Sequence, residues 1–208
     1  MENKTLKIRS PGEDILSQDG QAIYFGKIFT LSEADNYYNL LLHQVDWRPD
    51  EAIIFGKKIT TKRKVAWYGD LPFQYTYSGI NKQALGWTDV LKPLKSLIST
   101  VTGEEYNSCL LNLYHDGSEG VGWHSDAEKQ LKEDAAIASV SFGAARKFSF
   151  KHKENNNRID IILEHGSLLL MKGPVQKHWV HRLPPSTKIK EPRINLTFRY
   201  IDSNSNRN

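Results

Sequence analysis

Only one cysteine, Cys109, is present in the chain, so no disulfide bond can form within it. Its neighbours in the segment NSCLLNLY are mostly apolar, and a small buried side chain is expected there rather than a nucleophile. The chain also lacks an apolar run near 18 residues and a secretory signal, so we expect no membrane span and no export. These absences together predict a protein of a reducing intracellular compartment.

An excess of charge of one sign is also missing. Lys and Arg number 28 against 24 Asp and Glu, and the formal net charge is only +4. Any nucleic-acid surface must therefore be local. Two stretches are locally basic, one with Lys57, Lys58, Lys62, Arg63 and Lys64 and the other with Arg146, Lys147, Lys151 and Lys153. A charge run is usually a solvated face, so neither stretch predicts a partner by itself.

No internal repeat and no low-complexity linker divides the 208 residues. We therefore expect a single domain over residues 23–202, acting as a monomer. The polar segment 1–22 is expected to be a flexible leader, and residues 203–208 a tail.

Two segments have the periodicity of helices. Residues 32–47 begin with Ser32 and carry Asp35 three positions later, an approximate capping box ahead of an apolar stripe. Residues 88–101 place leucines and isoleucine at helical spacing, with Thr88 as the expected cap.

From residue 106 onward the apolar period is two. Strand-like runs follow one another, separated by turn residues such as DGSEG and ENNN: SCLLNLYHDG, AIASVSFG, RKFSFKHK, RIDIILEHGSLLLMKG and RINLTFRYI. Earlier runs, AIYFGKIF, AIIFGKKITTKRKVAWYG and FQYTYSG, add strands around the helices. This pattern predicts a mainly β protein with flanking helices, of the sandwich or jelly-roll kind.

The segment PRINLTFRY, residues 192–200, alternates strictly between apolar and polar side chains. The polar face consists of Arg193, Asn195, Thr197 and Arg199. The usual interpretation is a half-buried strand with its polar face in water. Two guanidinium groups around two short hydrogen-bonding side chains also suit a small dicarboxylate, because Arg is always charged and binds carboxylates in a fork. The run LLNLYHDG repeats this pattern with Asn112 and Tyr114.

The segment VGWHSDAEKQ contains His124 and Asp126, which share a face if the segment is a strand. Such a pair is either a structural ion pair or part of a metal site. Downstream, His178 and His181 are three apart, so at most one of them can join the pair from an extended segment. Two histidines and one carboxylate with open positions form the facial triad of non-haem Fe(II) oxygenases. The residues alone leave the choice between the two histidines open.

Several longer stretches then carry a family resemblance: NLYHDGSEGVGWHSDAE, IASVSFGAARKFSFKHK, HGSLLLMKGPVQKHWVHRLP and PRINLTFRY. Together with FGKKITTKRKVAWYGDLPFQYTYSG they span about residues 50–201, and they resemble the AlkB family of Fe(II)/2-oxoglutarate dioxygenases, which repair alkylated nucleic acids. The chain is most similar to the branch that contains the human nuclear DNA-repair homologues. The resemblance implies a double-stranded β-helix, a jelly roll whose mouth holds the metal, with nucleotide-recognition hairpins at about residues 50–80.

The resemblance implies an iron site and a co-substrate site. His124, Asp126 and His181 would hold the iron, which selects His181 over His178. Arg193 would bind the distal carboxylate of 2-oxoglutarate, and Arg199 would lie near its metal-chelating end. The remaining co-substrate residues would be Asn112, Tyr114, Asn195 and Thr197. The implied reaction consumes O2 and 2-oxoglutarate, releases succinate and CO2, and removes an N-methyl group as formaldehyde.

The implied substrates are N1-methyladenine and N3-methylcytosine in duplex or single-stranded DNA, with the base flipped out of the stack. Tyr77 would stack on the base, and Tyr75 and Ser78 would lie beside it. Glu128 would contact the exocyclic amine of the base. Without the resemblance, both tyrosines would be interpreted as ordinary strand aromatics. Ala127 departs from the acidic residue of some relatives, which leaves the base preference open.

Phe55 lies before a glycine at the expected tip of a hairpin, and it is either an apolar wedge for duplex DNA or an aromatic folded onto the core. Relatives that prefer duplex DNA carry such a phenylalanine. The residues expected to contact phosphates are Lys57, Lys58, Arg63, Lys64, Arg146 and Lys147.

Three other functions remain open at this point: an RNA or tRNA demethylase, a non-catalytic nucleic-acid-binding module, and a protein or small-molecule hydroxylase. Iron-dependent turnover of 2-oxoglutarate separates the enzymes from the binding module. Salt-sensitive affinity for nucleic acid separates repair from small-molecule oxidation. A DNA-repair enzyme would be cytoplasmic in a bacterium and nuclear in a eukaryote.

Overall fold

The computed structural model describes residues 11–54, 57–77, 80–128 and 130–202, with the backbone alone for 52–54, 57–59, 75–77 and 80–82. Its helices are α1 (Leu31–Gln44), α2 (Leu91–Thr102) and α3 (Val175–His178). Its strands are β1 (Glu13–Asp14), β2 (Gln21–Lys27), β3 (Arg48–Ile54), β4 (Lys57–Gly69), β5 (Gln74–Tyr77), β6 (Ile80–Gln83), β7 (Leu85–Gly86), β8 (Ser108–Tyr114), β9 (Val121–His124), β10 (Ile137–Gly143), β11 (Arg146–His152), β12 (Arg158–Leu163), β13 (Ser167–Lys172), β14 (Trp179–Leu183) and β15 (Arg193–Arg199). None of the helices in these ranges is long and apolar enough to cross a membrane.

Two sheets form the framework of the fold. The larger has the order β1-β2-β13-β10-β15-β8-β4-β3, with β7 paired to β4, and the smaller has the order β12-β11-β14-β9. One hydrophobic cluster joins Leu169 and Met171 of the larger sheet to Phe150, Ile161 and Trp179 of the smaller, so the two sheets face each other. The jelly-roll architecture with flanking helices, predicted above, is confirmed.

The helices cover the other face of the larger sheet. Leu41 of α1 and Leu94 of α2 belong to the same buried cluster as Leu111, Leu196 and Phe198. Central strands such as β13 are therefore buried on both faces, which explains why its sequence, SLLLMK, is apolar almost throughout.

The first helix is confirmed, but its predicted cap is wrong. The cap is Thr30, whose hydroxyl accepts a hydrogen bond from the Glu33 amide while the Glu33 carboxylate accepts one from the Thr30 amide. Asp35, the expected partner of Ser32, instead lies 3.1 Å from Nε2 of His165. The helix ends at Gln44 rather than at residue 47, because Val45 is extended, and the Leu41 carbonyl accepts from both the Val45 amide and the Trp47 indole.

The second helix begins later than predicted. Thr88 accepts a hydrogen bond from the Leu91 amide on its hydroxyl, at 3.3 Å, and its carbonyl accepts from Leu91 and Lys92. These bonds form a turn that precedes the helix, and the N-cap position is Val90, which has no side-chain cap bond. Gly103 ends the helix with a φ of 70°, a left-handed conformation that suits glycine.

The expectation of a flexible leader as far as residue 22 is wrong for its second half. Strand β1 pairs with β2, and Ile15 and Leu16 are buried in the core between the sheets. Apolar side chains are few in this segment, so composition alone did not reveal that two of them reach the core. In the region of residues 50–80, β3 pairs with β4 and β5 pairs with β6, both as antiparallel hairpins.

Candidate metal centre and its cavity

Three side chains that can bind a metal converge at the mouth of the jelly roll. His124, Asp126 and His181 each offer one ligand atom, and these atoms all lie within 4.8 Å of one another. Nε2 of His124 is 3.9 Å from one Asp126 carboxylate oxygen, and Nε2 of His181 is 4.0 Å from the other. The two imidazole rings are 4.3 Å apart between centroids. Such a set, with two imidazoles and one carboxylate, matches the facial triad of non-haem iron enzymes.

The elements that bring these side chains together are the edge strand β9 and its neighbour β14, where His124 lies directly opposite His181. The strand ends at His124, so Asp126 lies in the following loop and not on the same strand face. The predicted proximity of the two residues is therefore found, but alternation along a strand is not its cause. The Asp126 amide donates to the Gln176 side-chain oxygen at 2.8 Å, which fixes the loop.

Hydrogen bonding presents His124 in a form that suits metal binding. Its Nδ1 lies 2.9 Å from the Gly122 carbonyl, and a carbonyl can only accept, so Nδ1 carries the proton. Nε2, the nitrogen that faces Asp126, is then left with a free lone pair. His181 stacks on Phe148 with centroids 5.4 Å apart, and its side chain is only 4% exposed.

Burial and charge together set the ionisation of the cluster. Burial lowers the pKa of His181 to about 4, so this imidazole is neutral at physiological pH. Burial alone would raise the pKa of the Asp126 carboxyl, but Arg199 and the two histidines outweigh it and the pKa lies below its ordinary value. The cluster therefore presents the neutral imidazole of His181 beside the anionic carboxylate of Asp126, protonation states that suit a cation.

The polar face of β15 lines a cavity of about 550 Å³ that also contains the three metal-binding candidates. The strand's apolar side chains Ile194, Leu196 and Phe198 are fully buried on the opposite face. The cavity wall includes every residue predicted for the co-substrate: Asn112, Tyr114, Arg193, Asn195, Thr197 and Arg199. The polar face is thus turned into a cavity rather than toward bulk water.

Arg193 is a buried cation on this wall. It is 2% exposed, its Nη2 donates to the Ser141 hydroxyl at 2.8 Å, and burial lowers its pKa to about 10. Its Nε is buried and has no hydrogen-bond partner among the described residues. No carboxylate of the described chain pairs with it, so the site is prepared for an anion that the protein itself does not supply.

Arg199 contacts the metal cluster itself. Its Nη2 lies 2.7 Å from the Asp126 carboxylate, and its Nη1 lies 3.5 Å from Glu128. Glu128 also lines the cavity, as its predicted contact with a base requires. The predicted place of Arg199, near the metal end of the co-substrate, agrees with this geometry.

Arg63 was expected to contact phosphate, but it lies on the cavity wall. Its guanidinium pairs with the buried carboxylate of Asp50, and its side chain is only 18% exposed. Burial lowers the pKa of Arg63, but Tyr114 and Asp50 raise it more, so the net shift is upward. β4 thus directs this side chain toward the cavity, and its contact with phosphate stays a prediction.

The prediction for Arg146 is wrong. Its side chain is 1% exposed, and its two terminal nitrogens donate to four backbone carbonyls, at 2.8 to 3.2 Å: Asp116, Gly117, Glu119 and Pro184. This guanidinium joins the loop before β9 to the loop after β14. It stabilises the surroundings of the metal cluster and is not accessible to phosphate.

Of the other residues predicted to contact phosphate, Lys64 and Lys147 have side chains that the structure describes. Lys64 is partly exposed, and Lys147 pairs with Asp160 at 2.6 Å on the outer face of the smaller sheet. Phe55 and Ser78 lie outside the described residues, and so do the side chains of Tyr75, Tyr77, Lys57 and Lys58.

A second group of possible ligands consists of Asp19, His152 and His178. Nδ1 of buried His152 accepts from the amides of Glu154 and Asn155, at 3.3 and 3.4 Å, so the proton resides on Nε2. Nε2 then donates to the Asp19 carboxylate at 3.0 Å and has no lone pair for a metal. We interpret this group as a hydrogen-bonded anchor for the segment before β2.

Sequence reasoning missed four residues that shape the site: Asp50, Ser139, Ser141 and Gln176. Ser139 and Ser141 alternate along AIASVSFG, so a period-two pattern was available for them. The amide of Asn195 donates to the Ser139 hydroxyl at 2.9 Å. Asp50 and Gln176 come from distant segments, and no local pattern marks them.

A family model described as the 2OG-Fe(II) oxygenase superfamily matches residues 21–199. Among curated proteins, the chain is 38% identical over 205 residues to "DNA oxidative demethylase ALKBH2" of Homo sapiens, covering 93% of this chain and 76% of the relative. The chain belongs to the AlkB family of 2OG-Fe(II) oxygenases. It is also 41% identical over 181 residues to "Alpha-ketoglutarate-dependent dioxygenase alkB homolog 3" of Homo sapiens, covering 82% of this chain and 63% of the relative.

Among solved structures, "The structure of OsALKBH1" matches with a TM-score of 0.56 and 16% identity, covering 93% of this chain and all of that one. This likeness concerns the fold alone. As a 2OG-Fe(II) oxygenase the protein is an enzyme that uses Fe(II), 2-oxoglutarate and O2, and the cluster of His124, Asp126 and His181 can bind the metal.

Proposed function

We propose that this AlkB-family enzyme demethylates alkylated bases in DNA, with N1-methyladenine and N3-methylcytosine as substrates. One observation carries the proposal: a triad for iron and an anion site built around Arg193 lie in the same cavity. Relatives of 36–40% identity are named "DNA oxidative demethylase ALKBH2", which supports DNA as the substrate and oxidative demethylation as the reaction. Such an enzyme works where genomic DNA is, in the bacterial cytoplasm or the eukaryotic nucleus.

Fe(II) would be held by His124, Asp126 and His181. The fit rests on three features: a facial donor set, the free lone pair on Nε2 of His124, and the anionic state of Asp126. Two contacts fix Asp126: its amide donates to the Gln176 side chain, and its carboxylate accepts from Arg199. Such supporting contacts orient the ligands before the metal arrives.

2-Oxoglutarate would bind along β15 and β8. Its distal carboxylate suits the buried guanidinium of Arg193, whose Nε has no hydrogen-bond partner among the described residues. Asn195 lies opposite Asn112, and Arg193 opposite Tyr114, so the two strands form a continuous polar wall. Thr197 continues this wall toward Arg199, beside the metal cluster.

The bound iron and co-substrate supply an oxidation that converts the N-methyl group to formaldehyde, with succinate and CO2 as the other products. The chain's own residues position the base. Glu128, which lines the cavity, would accept a hydrogen bond from the exocyclic amine of the base. Tyr77 would stack on the base, with Tyr75 and Ser78 beside it. The cavity volume, about 550 Å³, lies within the usual range for ligand sites.

The test is demethylation of 3-methylcytosine in matched single-stranded and duplex oligonucleotides, with Fe(II), ascorbate and 2-oxoglutarate. We expect metal-dependent release of formaldehyde from both substrates. Turnover of 2-oxoglutarate without repair of either DNA would contradict the proposed substrate, and methylated RNA would then be the next substrate to assay. The absence of 2-oxoglutarate turnover would contradict the proposed site.

A further inference from the structure

The outer face of the four-stranded sheet is rich in cations. Side chains that point away from the core along its strands are Trp123, Lys147, Ser149, Lys151, Arg158, Asp160, Ile162, Val180 and Arg182. Four of these carry positive charge, and only Asp160 carries negative charge. The Asp160 carboxylate forms an ion pair with Lys147, at 2.6 Å.

A β-bulge in β9 directs residues of this strand both to the outer face and to the cavity. His181 lies opposite His124, and Leu183 lies opposite Val121, so β9 has one more residue than β14 over this stretch. Such a bulge lets two residues at odd spacing face the same side. Val121 packs on the core between the sheets, and it lines the cavity together with Trp123 and His124. The Trp123 ring also reaches the cations of the outer face, so this residue belongs to both surfaces.

Three of the four cations gather around the Trp123 ring. The charged groups of Arg182, Lys151 and Arg158 lie 4.5, 5.3 and 5.7 Å from its centroid. The ring face attracts each of them, which holds flexible side chains in one array. Within the described part of the chain, neither Lys151 nor Arg158 has a carboxylate partner, and Nε of Arg182 is buried without a hydrogen-bond acceptor. The array is thus a concentration of positive charge, which the Asp160 carboxylate near Arg182 offsets only in part.

We propose that Trp123, Lys151, Arg158 and Arg182, the Trp123 surface, bind the phosphodiester backbone of the nucleic acid whose base enters the cavity. The inference rests on the proposed function and adds a binding surface outside the cavity. Trp123 directly precedes His124, whose side chain is 40% exposed, so the surface begins where the cavity opens. On this proposal, the strand that delivers one base to the cavity passes along this edge, and phosphate is the anion that it carries there.

The test is equilibrium binding of a labelled single strand of about 15 nucleotides, long enough to extend beyond the cavity, by fluorescence anisotropy at about 50 to 200 mM salt. The variant is Arg158→Glu, because Arg158 is exposed and touches Trp123 alone among the described contacts. The matched control is Lys92→Glu, an exposed cation of α2 on the opposite side of the larger sheet. Both variants change the net charge equally.

For Arg158→Glu we expect Kd to rise roughly tenfold. The slope of log Kd against log salt concentration should fall by about 0.7 for each phosphate that the surface no longer neutralises. The control should stay within twofold of the wild type. Equal effects of the two variants, or no binding of the strand by the wild type, would overturn the proposal.

A second measurement separates this proposal from the proposed function. A methylated nucleoside has no phosphate to reach the Trp123 surface, so Arg158→Glu should leave its demethylation unchanged while KM for the longer strand rises. Arg158→Lys should restore most of the affinity for the longer strand. If the wild type binds DNA through this surface but demethylates neither substrate, the proposed function fails and the surface stands. A loss on both substrates would contradict a role confined to backbone binding.

Discussion

Arg193 and Tyr114 face each other across the β15–β8 pair, and the guanidinium lies 5.5 Å from the centroid of the phenol ring. The ring and the Ser141 hydroxyl hold this cation, which is almost fully buried. With a pKa of about 10, Arg193 remains charged at neutral pH although burial opposes the charge. A buried cation held in this way is stabilised by an incoming carboxylate.

Replacement of Arg193 by Gln should therefore raise KM for 2-oxoglutarate about 10- to 100-fold, the loss expected for charge-assisted hydrogen bonds. Succinate formation, measured against 2-oxoglutarate concentration, gives this value directly. Lys92→Gln is the control, because Lys92 is an exposed cation of α2 outside the cavity and outside the Trp123 surface. An unchanged KM for Arg193→Gln would contradict the assignment of the distal carboxylate.

Removal of the Asp126 carboxylate should abolish turnover. Asp126→Ala takes away the only anionic member of the metal cluster, so iron binding, followed by calorimetry, should be lost while circular dichroism shows a folded protein. Asp89→Ala removes an exposed carboxylate near α2 and serves as the control. Retained turnover in Asp126→Ala would refute the metal assignment.

Gln176 positions Asp126 through its side-chain oxygen, which accepts from the Asp126 amide at 2.8 Å. Gln176→Leu removes the acceptor, and we expect iron affinity to fall about 10- to 100-fold, as for other supporting contacts of metal ligands. Gln176→Glu retains an acceptor oxygen and should bind iron more tightly than the Leu variant. Equal affinities of the two variants would show that the hydrogen bond has no role in ordering the loop.

Arg146 joins the loop before β9 to the loop after β14, which adjoin at the same end of these two strands. Arg146→Ala removes a donor from four carbonyls, of which Gly117 keeps the Ser186 amide, so the free energy of unfolding should fall by about 3 kcal/mol. Lys147→Ala removes only a half-exposed ion pair with Asp160, and should cost less than about 1 kcal/mol. Urea unfolding of the two variants provides the comparison, and similar values would contradict the structural role of Arg146.

Phe55 is the predicted wedge of the β3–β4 hairpin. Phe55→Ala should lower the rate on duplex DNA about tenfold or more, because an apolar wedge offsets the cost of unstacking a base pair. The rate on single-stranded DNA should stay near the wild-type value, since no partner base has to be replaced. The measurement is the ratio of the two rates under identical conditions. An equal loss on both substrates would exclude the wedge.

Local periodicity was sufficient for the sheet framework and for one wall of the cavity. Alternation along residues 192–200 correctly separated the buried Ile194, Leu196 and Phe198 from a polar face. It could not show whether that face meets water or a cavity, because this depends on the second sheet that closes over it. Local sequence patterns did not determine the bounds of the helices either. Both Ser32 and Thr30 are good N-caps, and only the fold selects Thr30.

Charge was the least informative local signal. Arg63 and Arg146 lie in basic runs that look alike in sequence, yet one pairs with Asp50 and the other binds four carbonyls from distant loops. Trp123 and its cations come from four different strands, so no window of sequence contains them together. The repeating backbone geometry of a strand makes the face of a residue readable from its neighbours. What that face touches is set by contacts between segments far apart in the chain, and only the tertiary structure decides those.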